Sequence, residues 1–246
     1  MAVNIDKVYQ RVLAITNKEQ RGSVTPQDFN LLANQAQMNI FEQYFYDIKQ
    51  FSRVPGVQTE FSDPLHILEE KLAPFRVNDE SLPESTHVLN SNVYRLGEVS
   101  FFEFVVTDPL DPTVGYYLRP IQLGELTYSE MKLYDLSPLT RPTKTRPSYT
   151  RSEEFLIDIL PAGLEDKGVV RYNYIKKPTN ASWGYSVILG KALYSGTHSV
   201  DFQLHASEET SLVNEILVML GIAIQRPDVA QAAIADEIKK NQSEKS

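Results

Sequence analysis

Apolar residues recur at helical spacing through the stretch Thr25–Phe51. Phe29, Leu32, Ala36 and Ile40 fall on one side, and Phe41, Tyr44, Phe45, Ile48 and Phe51 continue it. That period is 3.6 residues, not the alternation of a strand. Thr25 can cap the free N–H groups, Pro26 suits the first helical position, and Asp28 meets the positive end of the dipole. The pattern predicts a long helix over 26–52, on the order of 40 Å at 1.5 Å per residue. Its apolar band is too wide to face water, so the rest of the chain or another copy must cover it.

The same reading predicts a helix over 4–19, with Asn4 as cap and Ile5, Val8, Tyr9, Val12, Leu13 and Ile15 as its stripe. Arg21-Gly22-Ser23 makes the turn between them, and a connection this short favours an antiparallel hairpin of helices. Ser62-Asp63-Pro64 signals a third helix, with Leu65, Leu68 and Leu72 inward and Pro74 as its stop. From about Leu82 the period changes. Thr86–Leu89, Val93–Leu96 and Phe101–Thr107 read as short strands, separated by Asn90-Ser91-Asn92 and Gly97-Glu98 turns. Phe101, Phe102, Phe104, Val105 and Val106 carry apolar groups to both faces, which predicts a strand covered on both sides. Gly115–Ile121 is its expected hairpin partner.

Leu126–Tyr134 reads as a short helix starting near Thr127 or Ser129. The run 137–147 follows, with three prolines and a cluster of basic residues in an acidic chain, an extended excursion rather than a central strand. Phe155–Leu160 and Val169–Ile175 are expected to pair, through Pro161-Ala162-Gly163 and Asp166-Lys167-Gly168. Trp183 is expected on a sheet edge, and Val187–Leu189 and Ser199–Leu204 as the last strands. Ser207, with Glu208 and Glu209 behind it, opens a helix whose face is Leu212, Val213, Ile216, Leu217 and Leu220. Gly221 is its expected stop. Arg226-Pro227-Asp228 restarts an alanine-rich helix reaching about Lys240, before a polar tail. The predicted class is α+β: an N-terminal three-helix unit over 1–76, an antiparallel β domain over 77–205 with a proline-rich arm at 137–150, and C-terminal helices over 206–246.

Composition narrows the function by exclusion. The 246 residues carry a formal charge of −8, which argues against a surface that grips nucleic acid through its phosphates. It does not exclude a wall that DNA slides past without sticking, but acidity is also the commonest solubility device, and charge alone favours that reading. Without cysteine there is no disulfide, thiolate zinc site or cysteine nucleophile. Neither a secretory signal nor an apolar run of the ~20 residues needed for a membrane span is evident. Synthesis and folding in a cytoplasm are expected.

No catalytic constellation stands out. His66, His87, His198 and His205 lack the spacing of a metal motif, and there is no Gly-x-Ser-x-Gly elbow. Leu189-Gly190-Lys191-Ala192 lacks most of a phosphate loop. Glu69-Glu70 point about 100° apart on a helix and cannot converge alone; with Glu153-Glu154 and Glu208-Glu209 they read as solvated or helix-start charges. Asn180-Ala181-Ser182 matches a glycosylation triplet without a secretory context. No cofactor, metal or small-molecule substrate is expected, nor an enzyme. The 13 tyrosines and 11 phenylalanines fit core packing first and subunit interfaces next.

Three stretches carry a resemblance. They are Ile5–Ile15 with Asn17–Gly22 and Thr25–Asn30 behind it, Pro138-Leu139-Thr140-Arg141-Pro142-Thr143, and Asp201-Phe202-Gln203-Leu204-His205 running into Ser207–Thr210 and the C-terminal helices. Together the chain resembles the virion structural proteins of crAss-like and related short-tailed phages that stack as rings in the neck and tail below the portal. The resemblance implies a head–tail adaptor: a dodecameric ring around a DNA channel, contacting the portal and neighbouring rings, made in the host cytoplasm. A closed ring uses two different surfaces per subunit. Candidate interface residues are Arg141, Lys144 and Arg146 in the arm, Phe41, Tyr44 and Tyr46 on the long helix, and Ile234 and Ile238 on the last. The competing class is a carbohydrate- or receptor-binding β module, in which Trp183 and the tyrosine-bearing strand faces would stack on sugars.

Overall fold

The computed structural model describes residues 2–17, 24–51, 64–83, 86–106, 116–164, 168–223 and 238. The chain is α+β, as expected. Its contacts divide it into two units, 1–74 together with 178–246, and 75–177. The first unit is therefore discontinuous in sequence. That differs from the expected boundaries, because 178–205 joins the helices instead of the β domain.

In the first unit, α1 (Ile5–Asn17), α2 (Pro26–Phe51), α3 (Pro64–Leu72) and α5 (Glu209–Ala223) enclose one core. Asn4 caps α1 by accepting from the Lys7 N–H (3.1 Å), and Thr25 caps α2 by accepting from the Asp28 N–H (3.2 Å). α5 packs against both α1 and α2, and Tyr9 of α1 meets the Phe29 ring of α2 edge-on (centroids 4.8 Å); Ile5, Val8, Val12, Phe29, Ala33, Ala36, Ile40, Phe41, Leu212, Ile216 and Leu220 are all buried. Ile15, expected on the α1 stripe, is exposed. The expected stop at Gly221 is passed, since α5 continues to Ala223. A short strand not anticipated, β1 (Ala2–Val3), pairs antiparallel with β11 (Phe202–His205).

The apolar stripe of α2 runs beside a polar one that holds the segment 179–183. Asn34 takes both backbone groups of one residue: its Nδ2 donates to the Ala181 carbonyl (2.9 Å) and its Oδ1 accepts from the Ala181 N–H (2.8 Å). Asn30 does the same for Trp183 (3.3 and 2.8 Å). Gln37 donates to the Thr179 carbonyl (2.8 Å) and accepts from the Gln203 N–H (3.2 Å). Positions 30, 34 and 37 share a helix face. They supply to an extended backbone the bonds that a neighbouring strand would otherwise give.

The second unit has two sheets. β2 (Arg76–Ser81), β8 (Gly168–Lys176), β3 (Val93–Val106) and β4 (Tyr116–Gln122) form an antiparallel sheet in the order β2-β8-β3-β4. β5 (Gly124–Glu125), β6 (Ser148–Arg151) and β7 (Ile157–Leu160) form the other. Val99, Phe101, Val170, Tyr172 and Tyr174 from the first sheet share a core with Tyr149, Ile157 and Ile159 from the second.

Several strand expectations are corrected. Gly97-Glu98 is not a turn; β3 runs straight through it, with an irregularity in register between Leu96 and Val99. β3 is buried on one face only, with Phe101 inside and Phe104 exposed. Thr86–Leu89 contributes one isolated bridge, Val88 to Leu156, and β2 was not anticipated. β7 pairs with β6, and β8 with β2 and β3, so the expected 155–160 to 169–175 ladder does not form. The distal part of the arm, 148–151, is strand β6 and is mostly buried. The helix stop at 53–56, the cap Asp63, the loop 108–112, most of the helix expected over 226–240 and the polar tail lie outside the described residues.

Two outcomes are expected. Asn34→Ala leaves the Ala181 N–H and carbonyl without their partners and lowers unfolding free energy by about 1–3 kcal/mol in denaturant titration. In the second unit, burial pushes the Tyr172, Tyr174 and Tyr149 phenols up. Glu80, accepting from the Tyr174 hydroxyl (2.6 Å), and Glu125 push Tyr174 and Tyr149 further. The folded state thus favours the neutral phenols. Their contribution is intact below the ordinary tyrosine pKa of about 10 and declines as pH rises beyond it. Tyrosinate absorbance in an alkaline titration should therefore show these three ionising together with loss of structure, after the exposed tyrosines.

Candidate interaction surfaces

β9 (Tyr185–Ile188) and β10 (Lys191–Tyr194) form a two-stranded hairpin in the first unit. Leu189 and Gly190 link them with φ of 52° and 76°. Positive φ at both central residues is the I′ turn that matches strand twist. The foot of the hairpin is fixed. Trp183, buried to 3% exposure, lies between the Tyr9 ring on one side (centroids 4.2 Å) and the Tyr185 and Tyr194 rings (both 5.8 Å). Its Nε1–H donates to Asp6 Oδ1 (2.9 Å). Gly184 approaches the 196–198 turn so closely that a Cβ would sit 2.4 Å from the His198 carbonyl, so only glycine fits.

Beyond this foot the hairpin is apolar and bare. Val187, Ile188, Leu193 and Tyr194 are exposed, and Leu189 at the tip is 99% exposed. Lys191 is the one charge between 185 and 194. Leucine is an unfavourable choice at Leu189. Left-handed backbone costs a Cβ-bearing residue about 1–2 kcal/mol, and Asn, Asp or Gly is the usual occupant. An exposed apolar tip gains nothing in folding to offset that.

A second apolar surface lies in the second unit. Helix α4 (Tyr128–Asp135) buries none of its residues and is held by its capping box. Glu130 Nα–H donates to Thr127 Oγ1 (3.3 Å), and Glu130 Oε2 accepts from the Thr127 N–H (2.9 Å). The latter bond and the Thr127 hydroxyl hold the Glu130 carboxyl below the usual range. Tyr128, Leu133, Leu136 and Leu139 are exposed along α4 and the turn after it. Beside them is a cavity of about 660 Å³, walled by Met131, Leu136, Pro142, Leu160, Pro161 and Ala162. Lys132, Asp135 and Arg141 also line it.

The expected interface residues distribute unevenly. Phe41 and Tyr44 are buried in the first unit, so the aromatic face of α2 is covered by its own chain and not by a partner. Tyr46 and Ile238 are exposed, and Ile234 lies outside the described residues. In the arm, Arg141 pairs with Asp135 (Nε to Oδ1, 2.8 Å) and donates to the Asp135 carbonyl (3.2 Å). Arg146 donates to the Leu139 carbonyl (2.7 Å). Thr143 and Arg146 bridge, leaving Lys144 exposed at the turn. Two of the three cations thus fold their own loop.

The remaining candidates have structural partners. Glu208 is buried against Lys71 (2.7 Å), and Glu209 meets Arg11 (2.7 Å). These carboxylates tie α5 to α3 and α1 rather than merely charging a helix start. His205, not Ser207, caps the following 3-10 turn by accepting from the Ser207 N–H (3.3 Å). His198 Nδ1 lies 2.9 Å from Ser195 Oγ. Among the described residues no three metal-ligating side chains converge, and no helix is long and apolar enough to cross a membrane. Trp183, Tyr172 and Tyr174 are buried, so the rings on which a sugar-stacking platform was expected are not available to a ligand. No protein-family model and no curated protein matches the chain.

The hairpin escaped the sequence reading because its turn signal is half missing. Glycine marks the second turn position, but leucine stands where asparagine would announce the first. Leu189→Asn is expected to raise unfolding free energy by about 1 kcal/mol, because Asn tolerates the left-handed backbone and no native contact is lost. Thermal or denaturant unfolding of the isolated chain would read this directly.

Proposed function

We propose that this chain is a structural subunit of a phage virion that closes into a ring in the neck or tail below the portal, lines a DNA channel and performs no reaction. The observation that carries this reading is the hairpin 185–194, an apolar element projected from an aromatic foot at a cost in backbone conformation. Exposed apolar surface beyond what solubility tolerates marks a site of association. The surface around α4 is chemically similar but built from different residues, and a closed ring needs two unlike surfaces on each subunit. The resemblance of 5–30, 138–143 and 201–210 to neck and tail ring proteins gives the assembly its identity, with twelve copies, the portal and neighbouring rings as partners. The formal charge of −8 suits a channel wall that DNA passes without being held.

Sedimentation and negative-stain imaging of the purified chain test the proposal. Concentration-dependent association into closed rings is expected; a chain that stays a strict monomer, or one that turns over a small molecule, would overturn it. The basic arm is tested through Lys144, since Arg141 and Arg146 have partners in their own loop. Lys144→Ser should leave monomer stability unchanged and weaken assembly modestly at low salt, by no more than ~1 kcal/mol per contact. Unaltered, salt-independent assembly would remove the arm from the interface.

A further inference from the structure

We infer that the hairpin seats on a second copy of this chain, its Leu189 tip entering the cavity beside α4 of that copy. The inference rests on the reading of the chain as a self-assembling subunit and names one contact through which the subunits join.

Three observations favour a second copy as the occupant. The chain carries both halves of a knob-and-hole pair. The knob is one fully exposed leucine with Ile188 and Val187 behind it, and the hole is a cavity walled by Met131, Leu136, Leu160 and Pro161. Both parts stand ready. Trp183 and Gly184 fix the foot of the knob, while the Thr127 capping box and the Asp135–Arg141 pair fix the rim of the hole.

Area gives the second argument. The exposed apolar side chains of the hairpin present on the order of 500 Å², against about 800 Å² per partner in a standard stable interface. One such contact is weak alone. A ring in which every subunit gives one knob and receives one doubles it without new chemistry.

Charge supplies the third. The knob carries only Lys191. At the hole, Asp135 and Arg141 neutralise each other and Lys132 is drawn over the Tyr128 ring at 4.5 Å. The hairpin therefore meets a mostly apolar wall whose one net charge, on Lys132, is no attraction for Lys191. A chain of charge −8 with one lysine on its apolar tip is poorly suited to an anionic lipid surface.

Absence of cysteine makes the test clean. Full-length Leu189→Cys and Ala162→Cys chains are mixed under mild oxidation and their products weighed by mass spectrometry. A disulfide-linked pair containing one chain of each kind is expected, in preference to either variant alone. Leu189→Asn should keep the fold and raise the concentration for half-association roughly tenfold or more, the effect of withdrawing one buried leucine. Efficient dimers of Leu189→Cys with itself would indicate hairpin-to-hairpin pairing and overturn the inference. So would Leu189-dependent flotation of the wild-type chain with phosphatidylcholine vesicles. Rings that persist in Leu189→Asn, with no mixed crosslink, would overturn this contact and leave the assembly reading standing. A wild-type chain that never self-associates would overturn both.

Discussion

The first unit depends on amide side chains of a helix standing in for a β-strand. Asn30, Asn34 and Gln37 bind the backbone of 179–183, a stretch without a regular ladder of its own. Buried backbone groups must find partners, and here a polar stripe on an otherwise apolar helix provides them. Once that segment is pinned, Trp183 is delivered onto Tyr9, and the hairpin is aimed by the same tryptophan. Gln37 and Gln203 extend the network to β11, which pairs with β1 at the start of the chain. A single row of carboxamides thereby joins segments between 142 and 166 residues apart.

This explains what could be read in advance and what could not. The long helix, its Thr25 cap, the Asn4 cap and the Thr127 helix start all rest on signals within a few residues, and each appears in the fold. Strand partners are decided by distant residues. The apolar run at 101–106 says strand, and its local hairpin partner at 115–121 is legible beside it, but nothing in the run says that Val170 lies on its other side. β2, with the sequence Arg-Val-Asn-Asp-Glu-Ser, has almost no strand propensity and exists because β8 offers it an edge. Asn34 and Gln37 look like solvent-facing positions in sequence; only the arrival of 179–183 makes them structural.

The exposed apolar surfaces were hidden for the opposite reason. A sequence reader assigns aromatic and aliphatic residues to the core, and Phe41 and Tyr44 obey that rule. The apolar groups left outside sit on α4, too short to bury a face, and on a hairpin with a disguised turn. The basic arm illustrates the converse. Its charge cluster looks like an outward contact, yet Arg141 and Arg146 spend their donors on carbonyls within the loop.

The division of the chain has a bearing on how it is made. Residues 75–177 are contiguous, so that unit can assemble as soon as they have left the ribosome. The flanking unit cannot: β1 and α1 emerge first but find β11 and α5 only at the other end of the message. Until then the part of their apolar stripe that meets α5 and β11 has no native cover. The inserted unit therefore lengthens, by about a hundred codons of vectorial synthesis, the interval before the amino-terminal helices meet their final neighbours.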